Sequence, residues 1–299
     1  MRSGSPSELI ASLRGDTSAV TSSIKFAGKS SPLPKHVKIC GLTRSEDAIV
    51  AVKHGASFMG VIFAESSPRR QTPDQAYKLV RSVHKDMNWS SSDTNESLAP
   101  HLLSLLPIPT GHSDSGSTAK SLEIGYRILS NSPRPLFVGV FQDQPLSFIT
   151  STVVKVGLDL VQLHGDESDS MIPLIPAPVI RVVHVLPGMG ASQIKQKVIS
   201  AVSHGAAAVL LDTAASSSSS SGNVGKGGTG QVFDWKVVLD LAHESMYIML
   251  AGGLTSENVG QVSVLGEYVW CVDASSGLES GVKGVKDAAK IAAFFKAIS

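Results

Sequence analysis

From about residue 35 onward, short apolar runs alternate with longer stretches in which apolar residues recur every three or four positions. Runs rich in Val, Ile, Leu and Phe read as strands buried on both faces, and the 3.6-residue repeat reads as amphipathic helix. Ala48, Ile49, Ala51 and Val52 give one helix face, Ala76, Leu79, Val80 and Val83 a second, and Ala288, Ile291, Ala292 and Phe295 the last. Thr43-Arg44-Ser45-Glu46 and Thr72-Pro73-Asp74-Gln75 both read as capping boxes, the second with Pro at the first helical position. Further helices are expected near 145–156, 192–204, from Asp234 to about His243, and near 284–298. Gly55, Gly157 and Gly205 each close a helix just ahead of a strand, where left-handed backbone favours glycine. Strands are expected near residues 37, 58, 136, 158, 179, 208, 247 and 268. Eight strand–helix units in roughly 200–250 residues predict a single (β/α)8 barrel, the TIM-barrel architecture, spanning 35–299.

Three stretches fall outside this rhythm. Residues 1–34 are Ser-rich, end at Pro32 and Pro34, and read as a disordered extension or a linker. An organelle-targeting peptide is the weaker reading, since Glu8 and Asp16 are present and arginines are few. Residues 86–133 read as a polar, low-complexity insertion between the second helix and the third strand, on the face away from the strand C-termini. The expectation there is a mobile loop, with Leu102-Leu103-Ser104-Leu105-Leu106 as one apolar turn that docks on the barrel or on a partner. Residues 214–226 form a Ser-rich loop after the sixth strand, read as a neutral expansion rather than a lid.

Composition narrows the function. The 26 basic and 25 acidic residues give a net charge of +1, without the concentrated basic face that nucleic acid requires. No apolar stretch approaches the roughly 20 residues of a bilayer span, so no membrane partner is expected. Two cysteines, Cys40 and Cys271, make no disulfide framework and suit a reducing, cytoplasmic setting.

The chemistry lies where the strands stop. Val37-Lys38-Ile39 ends at Cys40-Gly41, and Ala208-Val209-Leu210-Leu211 ends at Asp212-Thr213. Tyr247-Ile248-Met249-Leu250 ends at Ala251-Gly252-Gly253, and Tyr268-Val269-Trp270-Cys271-Val272 ends at Asp273, followed by Ser275-Ser276-Gly277. Ligands of parallel barrels bind at the carboxyl ends of the strands, so a thiol, two carboxylates and two glycine-containing loops are expected to share one pocket.

These motifs resemble those of the phosphoribosylanthranilate isomerase family. The resemblance runs through Lys38-Ile39-Cys40-Gly41-Leu42-Thr43, Gly60-Val61-Ile62-Phe63 with Ser67-Pro68-Arg69, and Val161-Gln162-Leu163-His164-Gly165-Asp166-Glu167. It continues in Leu210-Leu211-Asp212-Thr213, Gly227-Gly228-Thr229-Gly230, Ala251-Gly252-Gly253-Leu254 and Val272-Asp273-Ala274-Ser275-Ser276-Gly277. It implies an Amadori rearrangement of N-(5-phosphoribosyl)anthranilate to 1-(2-carboxyphenylamino)-1-deoxyribulose 5-phosphate in tryptophan biosynthesis. That chemistry needs one general acid and one general base, and neither a metal nor a redox cofactor. By resemblance Asp212 is the acid and Cys40 the base. Arg69 is expected to pair with the anthranilate carboxylate, and Asp273 and His164 to hold the substrate. Gly252, Gly253, Ser275, Ser276 and Gly277, completed by Gly228 and Gly230, are expected to cradle the phosphate. The expected partners are the sugar-phosphate substrate and other tryptophan-pathway enzymes.

Two further readings compete. The related isomerase of histidine biosynthesis is expected to carry an aspartate where Cys40 stands and phosphate loops in both halves of the barrel. Here glycine-rich loops of that kind occur only in the later half. A non-catalytic sugar-phosphate sensor is favoured by loss of Cys40 or Asp212, and both are present.

Overall fold

Eight parallel strands close on themselves in chain order: β1 His36–Ile39, β2 Phe58–Ile62, β3 Leu136–Phe141, β4 Leu160–Leu163, β5 Val179–His184, β6 Ala208–Asp212, β7 Ile248–Ala251 and β8 Val269–Ala274. The computed structural model describes residues 35–89, 97–107, 114–186, 188–212, 238–241 and 244–299. The seam is β1 against β8, where Lys38 lies opposite Asp273 and Ile39 opposite Ala274. The (β/α)8 barrel expected from the strand count is the fold observed.

Strand alternation divides the core in two. Phe58, Leu136, Leu160, Ile180, Ala208, Leu210, Met249 and Cys271 form one buried cluster inside the barrel. Their sequence neighbours Met59, Phe137, Val161, Val179, Val209, Ile248 and Val272 face outward and pack with helix residues such as Ala48, Val80, Ile149, Val198 and Ile291. Gly55, Gly157 and Gly205 end their helices at φ of +104°, +75° and +96°, backbone that only glycine adopts without strain.

The first of the two expected capping boxes is absent. Thr43 Oγ1 donates instead to Gly284 O at 2.6 Å, and Arg44 stands at the N-cap of helix Ser45–Lys53 with no side-chain cap bond. The second box is formed: Gln75 N–H donates to Thr72 Oγ1 at 3.3 Å, and Thr72 N–H donates to Gln75 Oε1 at 2.8 Å.

The insertion also departs from its reading as a mobile polar loop. It carries helices Ala99–Leu105 and Ser115–Ser130, and the second packs on helix Ala191–Ser203 and on β6. Leu102 and Leu129 join the interior cluster, closing the N-terminal mouth of the barrel beneath Phe58, Leu136 and Trp270. Tyr126 stacks on Tyr247 with centroids 4.8 Å apart. Gly125 lies so close to the chain entering β6 that an added Cβ would sit 1.9 Å from Ala207 O. Fully buried Asp159 ties the segment down. It accepts from Leu98 N–H at 2.7 Å and Phe137 N–H at 2.8 Å, and pairs with Arg134 at 2.8 Å. The 1–34 extension and the 214–226 loop lie outside the described residues, as does the Asp234 helix start.

Candidate active site

At the carboxyl ends of the strands opens a cavity of about 960 Å³. Cys40, Arg69, His164, Asp212, Gly252, Gly253, Asp273, Ser275, Ser276 and Gly277 all line it, so the structure gathers these sequence-proposed residues on one rim. Gly228 and Gly230 lie outside the described residues.

Cys40 follows β1 and is held by its backbone. Its N–H donates to Ala274 O at 2.9 Å, and Ser275 Oγ donates to its carbonyl at 3.1 Å. Gly60 on the adjoining strand makes room for the thiol: an added Cβ would lie 2.8 Å from Cys40 Sγ and 3.2 Å from Lys38 Nζ. Two residues back along the same face, Lys38 is wholly buried and donates to Asp273 Oδ2 at 2.7 Å across the seam. Burial works against the Lys38 ammonium, yet Asp273 and Cys40 outweigh it and hold its pKa above the ordinary lysine value. Burial pushes the Cys40 thiol up, against the pull of Lys38. The thiol is therefore not acidified in this pocket, because desolvation exceeds the nearby positive charge. Asp273 is also raised, first by burial and further by Asp212, against Lys38. Its Oδ1 is buried with no hydrogen-bond partner among the described residues, an acceptor left for a ligand hydroxyl or amine.

Arg69, not Arg70, turns into the cavity; Arg70 reaches the exposed Glu65 at 3.5 Å. The Arg69 fork is engaged by Glu279, with Nε at 2.5 Å from Oε1 and Nη2 at 2.8 Å from Oε2. The edge expected to clasp a substrate carboxylate is thus committed inside the protein, leaving Nη1 as the group for a ligand. Burial opposes ionisation of Glu279, but the Arg69 fork, the Gly284 N–H and Lys286 prevail and hold its pKa below the usual range.

Opposite the thiol, Asp212 closes β6. His164 Nε2 stands 3.3 Å and His184 Nδ1 3.8 Å from Asp212 Oδ2. His184, whose position carried no sequence assignment, is held by Nε2–H donating to His164 O at 2.8 Å.

The two loops assigned to phosphate meet beside this pair. Gly252 and Gly253 have φ of +114° and +61°. A Cβ on Gly277 would lie 2.3 Å from Leu254 O, so the two loops touch there. Ser275 Oγ is committed to Cys40 O, which makes it a clamp on the thiol's backbone. Sequence reasoning gave no role to Gly60, His184 or Glu279 and left the Lys38 contacts open. Strand alternation puts Lys38 on the face of Cys40 and His184 on that of the interior residues Ile180 and Val182, the one signal available for them.

A family model described as N-(5'phosphoribosyl)anthranilate (PRA) isomerase matches residues 106–297. The tryptophan biosynthesis protein TRP1 of Phytophthora nicotianae is 34% identical over 278 residues, 91% of this chain; the chain spans 48% of that protein, about half its length. The N-(5'-phosphoribosyl)anthranilate isomerase of Nitrosococcus oceani is 30% identical over 262 residues, covering 88% of this chain and 96% of that protein. Among solved structures, the phosphoribosyl anthranilate isomerase of Thermotoga maritima aligns with a TM-score of 0.58 at 26% identity, covering 88% of this chain and 98% of that one.

Proposed function

The chain belongs to the N-(5'-phosphoribosyl)anthranilate isomerase family, and on that premise we propose that it converts N-(5-phosphoribosyl)anthranilate to 1-(2-carboxyphenylamino)-1-deoxyribulose 5-phosphate in tryptophan biosynthesis. One observation carries the reading: a thiol on β1 and a carboxyl on β6 line the same cavity, beside two touching glycine loops. Asp212 as general acid gives its proton to the furanose oxygen, the C1–O bond breaks, and an iminium forms. Cys40, as the thiolate, takes the C2 proton, leaving an enolamine that tautomerises to the ketone. Both transfers are general acid–base steps between groups of the chain and the substrate.

The remaining groups position the substrate. Phosphate oxygens accept from backbone N–H groups of the loops around Gly252, Gly253, Ser276 and Gly277. Asp273 Oδ1 takes a hydroxyl or the amine. Arg69 Nη1 and its charge face the anthranilate carboxylate. Burial favours the thiol form of Cys40, whereas Lys38 and Lys286, joined by the cationic iminium of the substrate, favour thiolate. A relative named a multifunctional tryptophan biosynthesis protein, from Phycomyces blakesleeanus, is 33% identical over 269 residues and supports association or fusion with other enzymes of the pathway. Two free cysteines fit a reducing, cytoplasmic setting.

The test is turnover. Freshly prepared phosphoribosylanthranilate loses its fluorescence as it rearranges, and the reduced protein is expected to accelerate that loss catalytically. Absence of turnover with Cys40 shown to be reduced overturns the reading.

A further inference from the structure

Three side chains of metal-ligand type meet on the cavity wall from three consecutive strands. His164 follows β4, His184 closes β5 and Asp212 closes β6. Their donor atoms all lie within 4.8 Å of one another, and no other trio of His, Cys, Asp or Glu does so among the described residues. His164 Nε2 and His184 Nδ1 stand 3.3 Å and 3.8 Å from Asp212 Oδ2. Bonds of about 2.0–2.1 Å to a tetrahedral Zn²⁺ put neighbouring donor atoms about 3.3 Å apart. Two edges of the triangle are therefore already near the required length. Both imidazoles are about a third exposed, so an ion reaches them through the cavity.

The orientation of the ligands is set from behind. His184 donates Nε2–H to His164 O, which leaves the Nδ1 lone pair on the side of Asp212. His164 Nδ1 lies 3.1 Å from the side-chain nitrogen of Gln162, whose Oε1 is buried with no partner among the described residues. Turning that amide over, which leaves its shape unchanged, gives Oε1 the Nδ1–H to accept and presents the Nε2 lone pair to an ion. Ligating histidines regularly bond their second nitrogen to an oxygen in this manner. Two neutral imidazoles and a carboxylate suit Zn²⁺, Co²⁺ or Ni²⁺, and are too nitrogen-rich for Mg²⁺ or Ca²⁺.

We propose that His164, His184 and Asp212 bind a divalent transition-metal ion such as Zn²⁺, and that the bound ion inhibits the enzyme by occupying Asp212. The inhibition rests on the isomerase reading; the binding does not, so the deciding experiment reads binding without substrate.

Titration of the reduced, metal-free protein with Co²⁺ is expected to saturate with the visible bands of a nitrogen–oxygen site. A thiolate-to-cobalt charge-transfer band places the ion on a cysteine and overturns the proposal, as does the absence of saturable binding. In competition with Co²⁺, Zn²⁺ is expected to bind His184→Ala at least about a hundredfold more weakly than the parent, beyond the roughly 10–100-fold that loss of an orienting partner costs. Unchanged Zn²⁺ affinity in that variant contradicts the assignment. Imidazole nitrogen-15 signals of the parent protein decide the matter even if the variant fails to fold: among nine histidines, those of His164 and His184 must move on adding Zn²⁺, and movement confined to others refutes the site.

Discussion

Lys38 sets the balance on which the thiol's chemistry turns. It is the largest influence lowering the Cys40 pKa, set against burial, which raises it. Removing its charge leaves desolvation less opposed. Lys38→Met is therefore expected to slow alkylation of Cys40 by iodoacetamide at fixed pH and to lower kcat, with peptide mapping to separate Cys40 from the other buried cysteine, Cys271. Equal alkylation rates in parent and variant would show that the ammonium does not govern the thiolate. The raised thiol also gives a pH dependence. The thiolate fraction grows as pH rises through the folded pKa, so the rate of Cys40 alkylation should still be climbing above the ordinary cysteine value of about 8.5. A plateau at neutral pH would contradict it. Cys40 and Asp212 were legible because each ends an apolar run. The Arg69–Glu279 fork was not, because the partners are 210 positions apart and neither residue type announces a mate.

At the scale of elements, the insertion is where pattern reading fell short. The buried face of helix Ser115–Ser130 is Thr118, Leu122, Gly125 and Leu129, a helical spacing of four, three and four. Two of those four positions are Thr and Gly, which count as polar or as turn signals, so the stripe is invisible to hydrophobicity. Gly125 is there because Ala207 leaves no room for a Cβ. Gly125→Val should push the helix off β6 and lower the thermal midpoint. Leu102→Ala should cost about 2–5 kcal/mol by opening a cavity beneath the barrel, read from denaturant unfolding. An unchanged midpoint in both variants would mean that these helices do not close the barrel mouth. The caps make the same point more finely. Thr72 keeps its capping box while Thr43 spends its hydroxyl on Gly284, a contact across 241 positions that local sequence does not encode.

The whole molecule is a ring whose ends are joined by charge. Lys38–Asp273 pins β1 to β8, and Arg69–Glu279 ties the loop after β2 to the loop after β8. The eight strands and their order were readable because parallel strands buried on both faces give near-continuous apolar runs, each closed by a glycine or a polar residue. The pairs across the seam were not, since closure brings together residues from opposite ends of the sequence. Glu279 has a lowered folded pKa, so its contribution to stability is present above the unfolded value of about 4.3 and is lost as pH falls through the folded one. Thermal midpoints measured between neutral and acid pH should show this loss, and Glu279→Gln should flatten the acid limb. Asp273, raised rather than lowered, acts in the opposite sense, so the comparison is made between parent and variant. An identical acid limb in Glu279→Gln would remove Glu279 from the seam's energetics.

Steady-state kinetics on phosphoribosylanthranilate, with the parent, Cys40→Ser and Asp212→Asn side by side, is the most direct measurement. Each substitution should lower kcat by about 10²–10⁴-fold, with KM within a few-fold of the parent, because both groups act on protons rather than on binding. Near-parental kcat in either variant would contradict a thiol base and a carboxyl acid working across the barrel mouth.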